Sequence, residues 1–245
     1  MKSWILLLVL LAVAVGAWAQ GETVRYRMGE EVFEGYYISP QEGAPLVVLL
    51  HDWDGLTDYE IRRAKMLAKA GYAVFAADLF GAGIRPTEAK DKRQHTGELY
   101  KDRARMRGLV KAAVDTAASR GGRTDNAVIM GYCFGGAAVL EYARSGADMK
   151  GFATFHGGLQ TPPGQDYSKA RGAYLIQHGS ADTAITLDQF AALAAELEKA
   201  GLKHEMVTYS GAPHAFTVFD QPRYREDADR KSWRRFIDYL GETLR

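Results

Sequence analysis

The chain has 245 residues, of which 47% are hydrophobic, 25% are charged and 11% are aromatic. This composition is typical of a globular protein and excludes a disordered chain, a collagen-like repeat and a polytopic membrane protein. The 31 Lys and Arg residues nearly balance the 30 Asp and Glu residues, so no basic excess predicts binding to nucleic acid or to an anionic membrane. We expect the partner to be a small molecule.

Residues 1–19 have the pattern of an export signal. Lys2 precedes an apolar run over residues 5–15, and the small-x-small motif that signal peptidases recognise follows at residues 17–19. The run is too short for a stable membrane-spanning helix, which needs about 20 apolar residues. We therefore expect cleavage after residue 19 and a periplasmic or secreted protein that begins at Gln20 and has no stable membrane association. An uncleaved N-terminal anchor is the alternative.

Residues 20–245 contain no internal repeat or linker, so a single domain is predicted. Alternating polar and apolar residues at 24–28 and 32–38, on either side of Gly29-Glu30, predict an antiparallel β-hairpin. Short unbroken apolar runs follow, and such runs are typical of parallel strands that are covered on both faces. These runs lie at residues 46–50, 72–77, 127–130, 151–155 and 173–177, and a last strand is predicted at 205–209.

Segments with a helical period alternate with these strands. They cover residues 61–70, 98–118, 135–144 and 187–200, the last closed by Gly201 as C-cap, and a C-terminal helix that places Trp233, Phe236, Ile237 and Leu240 on one face. Strands that alternate with helices predict a mostly parallel, doubly wound sheet with helices on both faces. Residues 157–172 follow a strand and are predicted to form a loop at the rim of the site.

The only cysteine of the sequence, Cys133, lies in a Gly-x-Cys-x-Gly motif between a predicted strand and a helix. Gly131 and Gly135 permit the tight strand-to-helix turn that exposes a nucleophile at the top of a sheet. The following helix N-terminus favours a thiolate and directs the backbone N–H of Phe134 at a developing oxyanion. The motif therefore predicts a nucleophilic cysteine, and a buried structural cysteine is the alternative.

Two loops that follow predicted strands supply partners for this thiol. Asp182 follows the strand at 173–177, and His214 follows the strand at 205–209. Because functional groups gather at the carboxyl ends of parallel strands, we expect Asp182 to orient His214 and His214 to share a proton with Cys133. A turn-capping role for Asp182 and a surface role for His214 are the alternatives. The histidines lack metal-site spacing, so we expect no metal and no cofactor.

The loop after the first core strand predicts the second oxyanion donor. The sequence His-Asp-Trp-Asp-Gly occupies residues 51–55, and the backbone N–H of Trp53 is the candidate donor beside that of Phe134. Asp52 and Asp54 add two carboxyl groups to the same loop. For Asp54 a local turn or capping role is favoured.

The chain resembles the dienelactone hydrolase family of α/β-hydrolases over nearly all of residues 20–245. The resemblance rests on the Cys133 motif and on the segments at residues 51–55, 77–80, 178–182 and 213–216. It implies the α/β-hydrolase fold, a triad of Cys133, His214 and Asp182, and hydrolysis of a small ester or lactone by acyl transfer. It also implies an acidic residue in the first loop that hydrogen-bonds the resting thiol and exchanges its proton. Family members usually have Glu there, and this sequence has Asp52.

A second departure from the family concerns the substrate. Members that open dienelactones have an Arg four residues after the catalytic His, which holds the substrate carboxylate, and Val218 occupies that position here. Arg85, Lys92 and Arg93 lie in a predicted cap loop and are the candidates to replace it. Without a replacement we expect neutral esters or lactones as substrates, because an apolar side chain cannot bind a carboxylate.

Two other functions are compatible with the sequence. Cys133 could serve a redox-reactive thiol protein that forms mixed disulfides or sulfenic acid, although the sequence has no second cysteine to resolve them. The chain could also be a non-catalytic binding module on a hydrolase scaffold, because a fold does not determine a function.

Overall fold

The computed structural model describes residues 20–244, and the predicted export signal at residues 1–19 lies outside them. The described residues form strands β1 Glu22–Met28, β2 Glu31–Ile38, β3 Pro45–Leu50, β4 Ala73–Ala77, β5 Arg123–Tyr132, β6 Gly151–Phe155, β7 Ala173–Gly179 and β8 Lys203–Tyr209. They also form helices α1 Asp58–Lys69, α2 Ala89–Lys101, α3 Arg103–Ser119, α4 Phe134–Arg144, α5 Leu187–Lys199 and α6 Glu226–Thr243. No helix within residues 20–244 is both long enough and apolar enough to cross a bilayer.

The strands form one sheet in the order β1-β2-β4-β3-β5-β6-β7-β8. β1 and β2 pair in antiparallel fashion around the turn at Gly29-Glu30, where Gly29 has a φ of 62°. β2 is also antiparallel to β4, whereas every further pair from β4 to β8 is parallel. This topology confirms the predicted doubly wound sheet with an antiparallel N-terminal hairpin.

Helices cover both faces of the sheet, which explains the unbroken apolar strands. In β3, Leu46, Val48 and Leu50 pack in the layer formed with α3, α4 and α5, whereas Val47 and Leu49 pack in the layer formed with α1 and α6. All five side chains are fully buried. Because burial of one such side chain contributes about 1.5–3 kcal/mol, this core fixes the position of the carboxyl ends of the strands and of the loops that follow them.

The region between β4 and β5 differs from the prediction. The prediction of a single helix over residues 98–118 was wrong, because the helix breaks between α2 and α3 at Asp102. The Asp102 carboxylate accepts the Arg105 N–H at 2.9 Å and so caps the start of α3. The predicted cap loop was also wrong for Lys92 and Arg93, which lie on α2. This helix buries only Thr96 and Leu99, a stripe too narrow to produce a readable period.

Helix α1 begins three residues before the predicted start at residue 61. Thr57 caps it, because its hydroxyl oxygen accepts the Tyr59 N–H at 3.3 Å while Glu60 accepts the Thr57 N–H at 2.9 Å. The Thr-x-x-Glu pattern of such a capping box is visible in the sequence, so the start could have been read from it.

Gly135 lies where the start of α4 contacts the carboxyl end of β3. A Cβ atom at this position would lie 2.4 Å from the Leu50 carbonyl oxygen and 2.5 Å from that of His51. We expect Gly135→Ala to lower the free energy of unfolding by about 1–3 kcal/mol, as measured by urea denaturation. Gly97→Ala is the matched control on α2, where nothing lies within 4 Å, and it should raise stability by about 0.5–1 kcal/mol. Equal effects of the two substitutions would contradict this account of the turn.

Candidate active site

Cys133 lies between β5 and α4, in the turn that the sequence predicts. Its backbone has φ 48° and ψ −112°, a region that residues with a side chain rarely adopt. Its N–H donates to the Phe155 carbonyl at 3.0 Å, and its own carbonyl accepts the Gly136 N–H at 3.1 Å. A Cβ atom on Gly131 would lie 2.3 Å from the backbone of Gly135, so the turn depends on this close approach. Cys133 as a whole residue is half-buried in this turn.

The structure brings Asp182, His214 and Cys133 together from three loops at the carboxyl edge of the sheet. His214 Nε2 lies 3.1 Å from Cys133 Sγ, and His214 Nδ1 lies 2.7 Å from Asp182 Oδ2. The other carboxylate oxygen of Asp182 accepts the N–H groups of Ala184 at 2.8 Å and Ile185 at 2.9 Å. The carboxylate is therefore held in place from its own loop while it contacts the imidazole.

The protonation of this chain of groups follows from Asp182. Burial alone would raise the pKa of its carboxyl, but hydrogen bonds from His214 and from two backbone N–H groups outweigh burial and hold that pKa below its usual value. An ionised carboxylate only accepts, so Nδ1 of His214 carries the hydrogen that faces Asp182. Nε2 is then the acceptor, and it receives the S–H of Cys133.

The resting thiol is neutral. Burial raises the pKa of Cys133 far above its usual value, an ionised Asp52 would raise it further, and the backbone N–H of Phe134 at the sulfur offsets only part of this. Cys133 therefore does not rest as a thiolate, although it lies at a helix N-terminus. A base must take its proton before the sulfur can attack.

Two backbone N–H groups are available for an oxyanion. That of Phe134 is directed at the sulfur of Cys133. Trp53 lies in the loop after β3, which is next to β5 in the sheet. The N–H of Trp53 finds no hydrogen-bond acceptor within residues 20–244. The Trp53 N–H is therefore unoccupied among the described residues, whereas the Phe134 N–H already faces the sulfur.

Three carboxyl groups cluster beside this loop. The carboxyl oxygens of Asp52, Asp54 and Glu60 lie within 4.8 Å of one another. Burial and the neighbouring acids raise the pKa of Asp52 well above its usual value, and burial raises the pKa of Glu60 to about 7. The Asp52 carboxylate accepts the Asp54 N–H at 3.1 Å, and the Lys92 ammonium lies 3.4 Å from the Asp54 carboxylate. The raised pKa values mean that Asp52 and Glu60 take up a proton more readily than free carboxyl groups do, and among the described residues no hydrogen bond joins Asp52 to the thiol.

Comparison with known proteins agrees with this geometry. The model of the dienelactone hydrolase family matches residues 33–244. The chain belongs to the dienelactone hydrolase family. The predictions of an α/β-hydrolase fold and of an ester or lactone hydrolase of this family are confirmed.

Individual members of the dienelactone hydrolase family align over nearly their full length. The chain is 25% identical to a Yersinia pestis protein provisionally named carboxymethylenebutenolidase, over 91% of this chain and 88% of that protein. It superposes on a dienelactone hydrolase-like promiscuous phosphotriesterase from metagenomic libraries with a TM-score of 0.86 and 27% identity, over 94% of this chain and 100% of that one. A solved structure called m3DLH gives a TM-score of 0.87 and 30% identity over the same shares.

The residues suggested as substitutes for the carboxylate-binding Arg of the dienelactone hydrolase family occupy different settings. Arg85 donates to the backbone carbonyls of Leu56 and Ile84 and lies 3.6 Å from Asp78, so its guanidinium braces the neighbouring loops. Arg93 is exposed on α2. Val218 is partly exposed in the turn after the histidine, where its N–H donates to a backbone carbonyl at 3.1 Å.

Sequence reasoning missed His51, which holds the loop of Trp53. Its Nδ1 donates to the Asp52 carbonyl at 2.6 Å, and its Nε2 accepts the Leu79 N–H at 3.0 Å. Both ring nitrogens are thus used, and burial lowers the pKa of the imidazole, which keeps it neutral. Its position directly after β3 was the only signal, because the residues it binds are fixed by tertiary structure.

His156, which the sequence analysis did not single out, packs against His214. It is fully buried at a φ of 41°, and its ring meets that of His214 edge to face with 5.4 Å between the ring centroids. Its Nε2 lies 2.8 Å from Thr217 Oγ1, which in turn lies 2.7 Å from the Tyr59 hydroxyl. His214 is therefore fixed by a ring contact in addition to its bond with Asp182.

The raised pKa of Cys133 gives a direct test of the resting state. Between about pH 6 and pH 9 we expect iodoacetamide to alkylate the folded protein much more slowly than it alkylates glutathione, with no inflection near the usual thiol pKa of about 8.5. Cys133 is the only cysteine, so the measured rate belongs to it alone. An inflection below about pH 8 would show a resting thiolate and contradict the account.

Proposed function

We propose that this hydrolase cleaves a small ester or lactone through a covalent thioester on Cys133. The observation that carries the proposal is the hydrogen-bonded series from Asp182 through His214 to the sulfur, at 2.7 and 3.1 Å. Membership of the dienelactone hydrolase family supports it, because that family supplies the reaction class.

The first half of the reaction is acyl transfer to sulfur. The substrate carbonyl oxygen binds between the N–H groups of Trp53 and Phe134, which polarises the carbonyl. His214 Nε2 removes the thiol proton as the sulfur of Cys133 forms a bond to the carbonyl carbon, and the carbonyl π electrons move onto the oxygen. When this intermediate collapses, the bond to the leaving alkoxide breaks and His214 returns the proton to it. An acyl thioester remains on the sulfur.

The second half releases the acid. A water molecule donates a proton to His214 Nε2 while its oxygen attacks the thioester carbon, and the new oxyanion occupies the same two N–H groups. The carbon–sulfur bond then breaks, and the departing sulfur takes the proton back from the imidazole. Asp182 stays ionised throughout and stabilises the imidazolium that forms in each half.

Asp52 is proposed to regulate ionisation of the thiol. Its negative charge is one of the causes that raise the pKa of Cys133, so a proton on Asp52 lowers the cost of forming a thiolate. The buried setting of Asp52, beside Asp54 and Glu60, favours the protonated form of its carboxyl. This assigns to Asp52 the acidic function that family members give to Glu, through charge rather than through a direct hydrogen bond.

A redox role is the weaker alternative. Oxidants and disulfides react with the thiolate, and the surroundings of Cys133 suppress that form. A binding module is also disfavoured, because the three residues of the proposed triad keep hydrogen-bond geometry that binding alone does not need.

We expect substitutions in the proposed triad to slow the hydrolysis of p-nitrophenyl esters much more than a control substitution does. Cys133→Ala should lower kcat/KM by at least about 10³-fold, because it removes the nucleophile. Asp182→Asn should lower it by roughly 10²–10⁴-fold, because it leaves the imidazole in the wrong tautomer. Asp188→Asn, an exposed position at the start of α5, is the control and should change nothing. Turnover that survives Cys133→Ala at the wild-type rate would refute the proposal.

We also propose that the protein is exported and cleaved after residue 19, as the pattern of residues 1–19 predicts. N-terminal sequencing of the protein purified from its native host should begin at Gln20. Recovery of a membrane-bound chain that begins at Met1 would instead establish an uncleaved anchor.

A further inference from the structure

Thr217 lies three residues after His214, is fully buried and has no part in the proposed reaction. Its Oγ1 lies 2.8 Å from His156 Nε2 and 2.7 Å from the Tyr59 hydroxyl. Its backbone carbonyl accepts a hydrogen bond from Arg63 Nη2 at 2.8 Å. Because a buried polar group that loses its partner is costly, these bonds hold the segment after His214 in one arrangement.

Arg63 fixes the backbone of Thr217 from helix α1. It is fully buried, its guanidinium pairs with the Asp229 carboxylate on α6, and its Nε donates to the Tyr59 hydroxyl at 3.3 Å. A guanidinium is planar and carries its donors in a rigid fork, so it holds these groups in a defined relation. The segment of His214 is thereby fastened to two helices that pack on the same face of the sheet.

The Thr217 hydroxyl joins two segments that both contain a left-handed residue. Ala215, directly after His214, has a φ of 62°, and His156 has a φ of 41°. Residues with a side chain adopt this region only where the surrounding structure holds them there. The first segment follows β8 and the second follows β6, so their relative position depends on the bonds between them.

The ring of His156 depends on Thr217 for its orientation. Its Nε2 contacts the Thr217 hydroxyl, and its Nδ1 is buried without a hydrogen-bond partner among the described residues. The same ring meets that of His214 edge to face, with 5.4 Å between the ring centroids. Without the hydroxyl, neither nitrogen of His156 would have a partner. The ring could then turn, and His214 would lose the surface on which it rests.

We propose that Thr217 is a positioning residue for the reaction. Its hydroxyl holds the ring of His156 against that of His214, which keeps Nε2 of His214 in line with the reactive sulfur. The inference rests on the proposed function, in which this Nε2 takes and returns the thiol proton. The bond from Asp182 to Nδ1 fixes one atom of the imidazole but tolerates a range of angles, and the ring contact removes that freedom.

The test compares Thr217→Val, which keeps the shape but removes the hydroxyl, with Thr217→Ser, which keeps the hydroxyl. Release of p-nitrophenol from p-nitrophenyl acetate, with enzyme in excess, reports acylation in a single turnover. We expect Thr217→Val to lower the rate constant at saturation by about 10-fold or more, because a displaced base is inefficient, and to leave the half-saturating concentration within about twofold. Thr217→Ser should restore the rate constant to within about threefold of the wild type.

Thr154→Val is the matched control. Thr154 is also fully buried, two residues before His156, but its hydroxyl has no hydrogen-bond partner among the described residues. The substitution should leave the acylation rate constant within about twofold, because no hydrogen bond is lost. If Thr154→Val slows acylation as much as Thr217→Val does, or if Thr217→Ser fails to restore it, the inference is overturned. If Thr217→Val does not fold, Tyr59→Phe takes its place, with an expected fall of about threefold or more, and an unchanged rate constant overturns the inference.

Proton NMR separates this inference from the proposed function. The hydrogen on His214 Nδ1 faces the Asp182 carboxylate, with 2.7 Å between the heavy atoms, and should give a downfield resonance that is lost in His214→Gln. This resonance should persist in Thr217→Ser and Thr154→Val and should broaden or vanish in Thr217→Val. Ester turnover that persists in Cys133→Ala would refute acyl transfer through the sulfur, and the resonance would still decide whether Thr217 holds His214. An unchanged resonance in Thr217→Val would overturn the inference.

Discussion

The backbone of Cys133, at φ 48° and ψ −112°, is the constraint on which the site depends. A side chain in this region costs about 1–3 kcal/mol, so the surrounding structure must hold it there. The bond from its N–H to Phe155 and the contact of Gly135 with the carbonyl of Leu50 do so, and both belong to the parallel core of the sheet. The sulfur is thereby presented to His214 at 3.1 Å, and every other group acts relative to that position.

The two carboxyl groups of Asp182 and Asp52, near the thiol, have pKa values shifted in opposite directions. Hydrogen bonds keep the pKa of Asp182 low, whereas burial among other acids keeps that of Asp52 high. Environments that separate the pKa values of neighbouring acids commonly divide their roles in catalysis. In the proposed reaction Asp182 stabilises the imidazolium of His214, and Asp52 adjusts the cost of a thiolate at Cys133. A neutral resting thiol is also a poor target for oxidants.

Local sequence signals sufficed for the sheet and for the placement of Cys133, Asp182 and His214 at its carboxyl edge. Apolar runs mark strands that are covered on both faces, and glycine spacing marks the tight turn. The break at Asp102 was missed because α2 buries too narrow a stripe to show a period. The ion pairs of Arg103, Arg107 and Arg144 with the buried Glu141 could not be foreseen either, because they depend on how α3 packs against α4.

The central claim is that the acyl group passes through the sulfur of Cys133. The most direct measurement is mass spectrometry of the protein quenched in acid during steady-state turnover of a p-nitrophenyl ester, followed by peptide mapping. The account predicts the mass of one acyl group on the peptide that contains Cys133, and rapid loss of that mass when the substrate is exhausted. Continued turnover with no acyl mass on any peptide, or with the mass on a different residue, would contradict it.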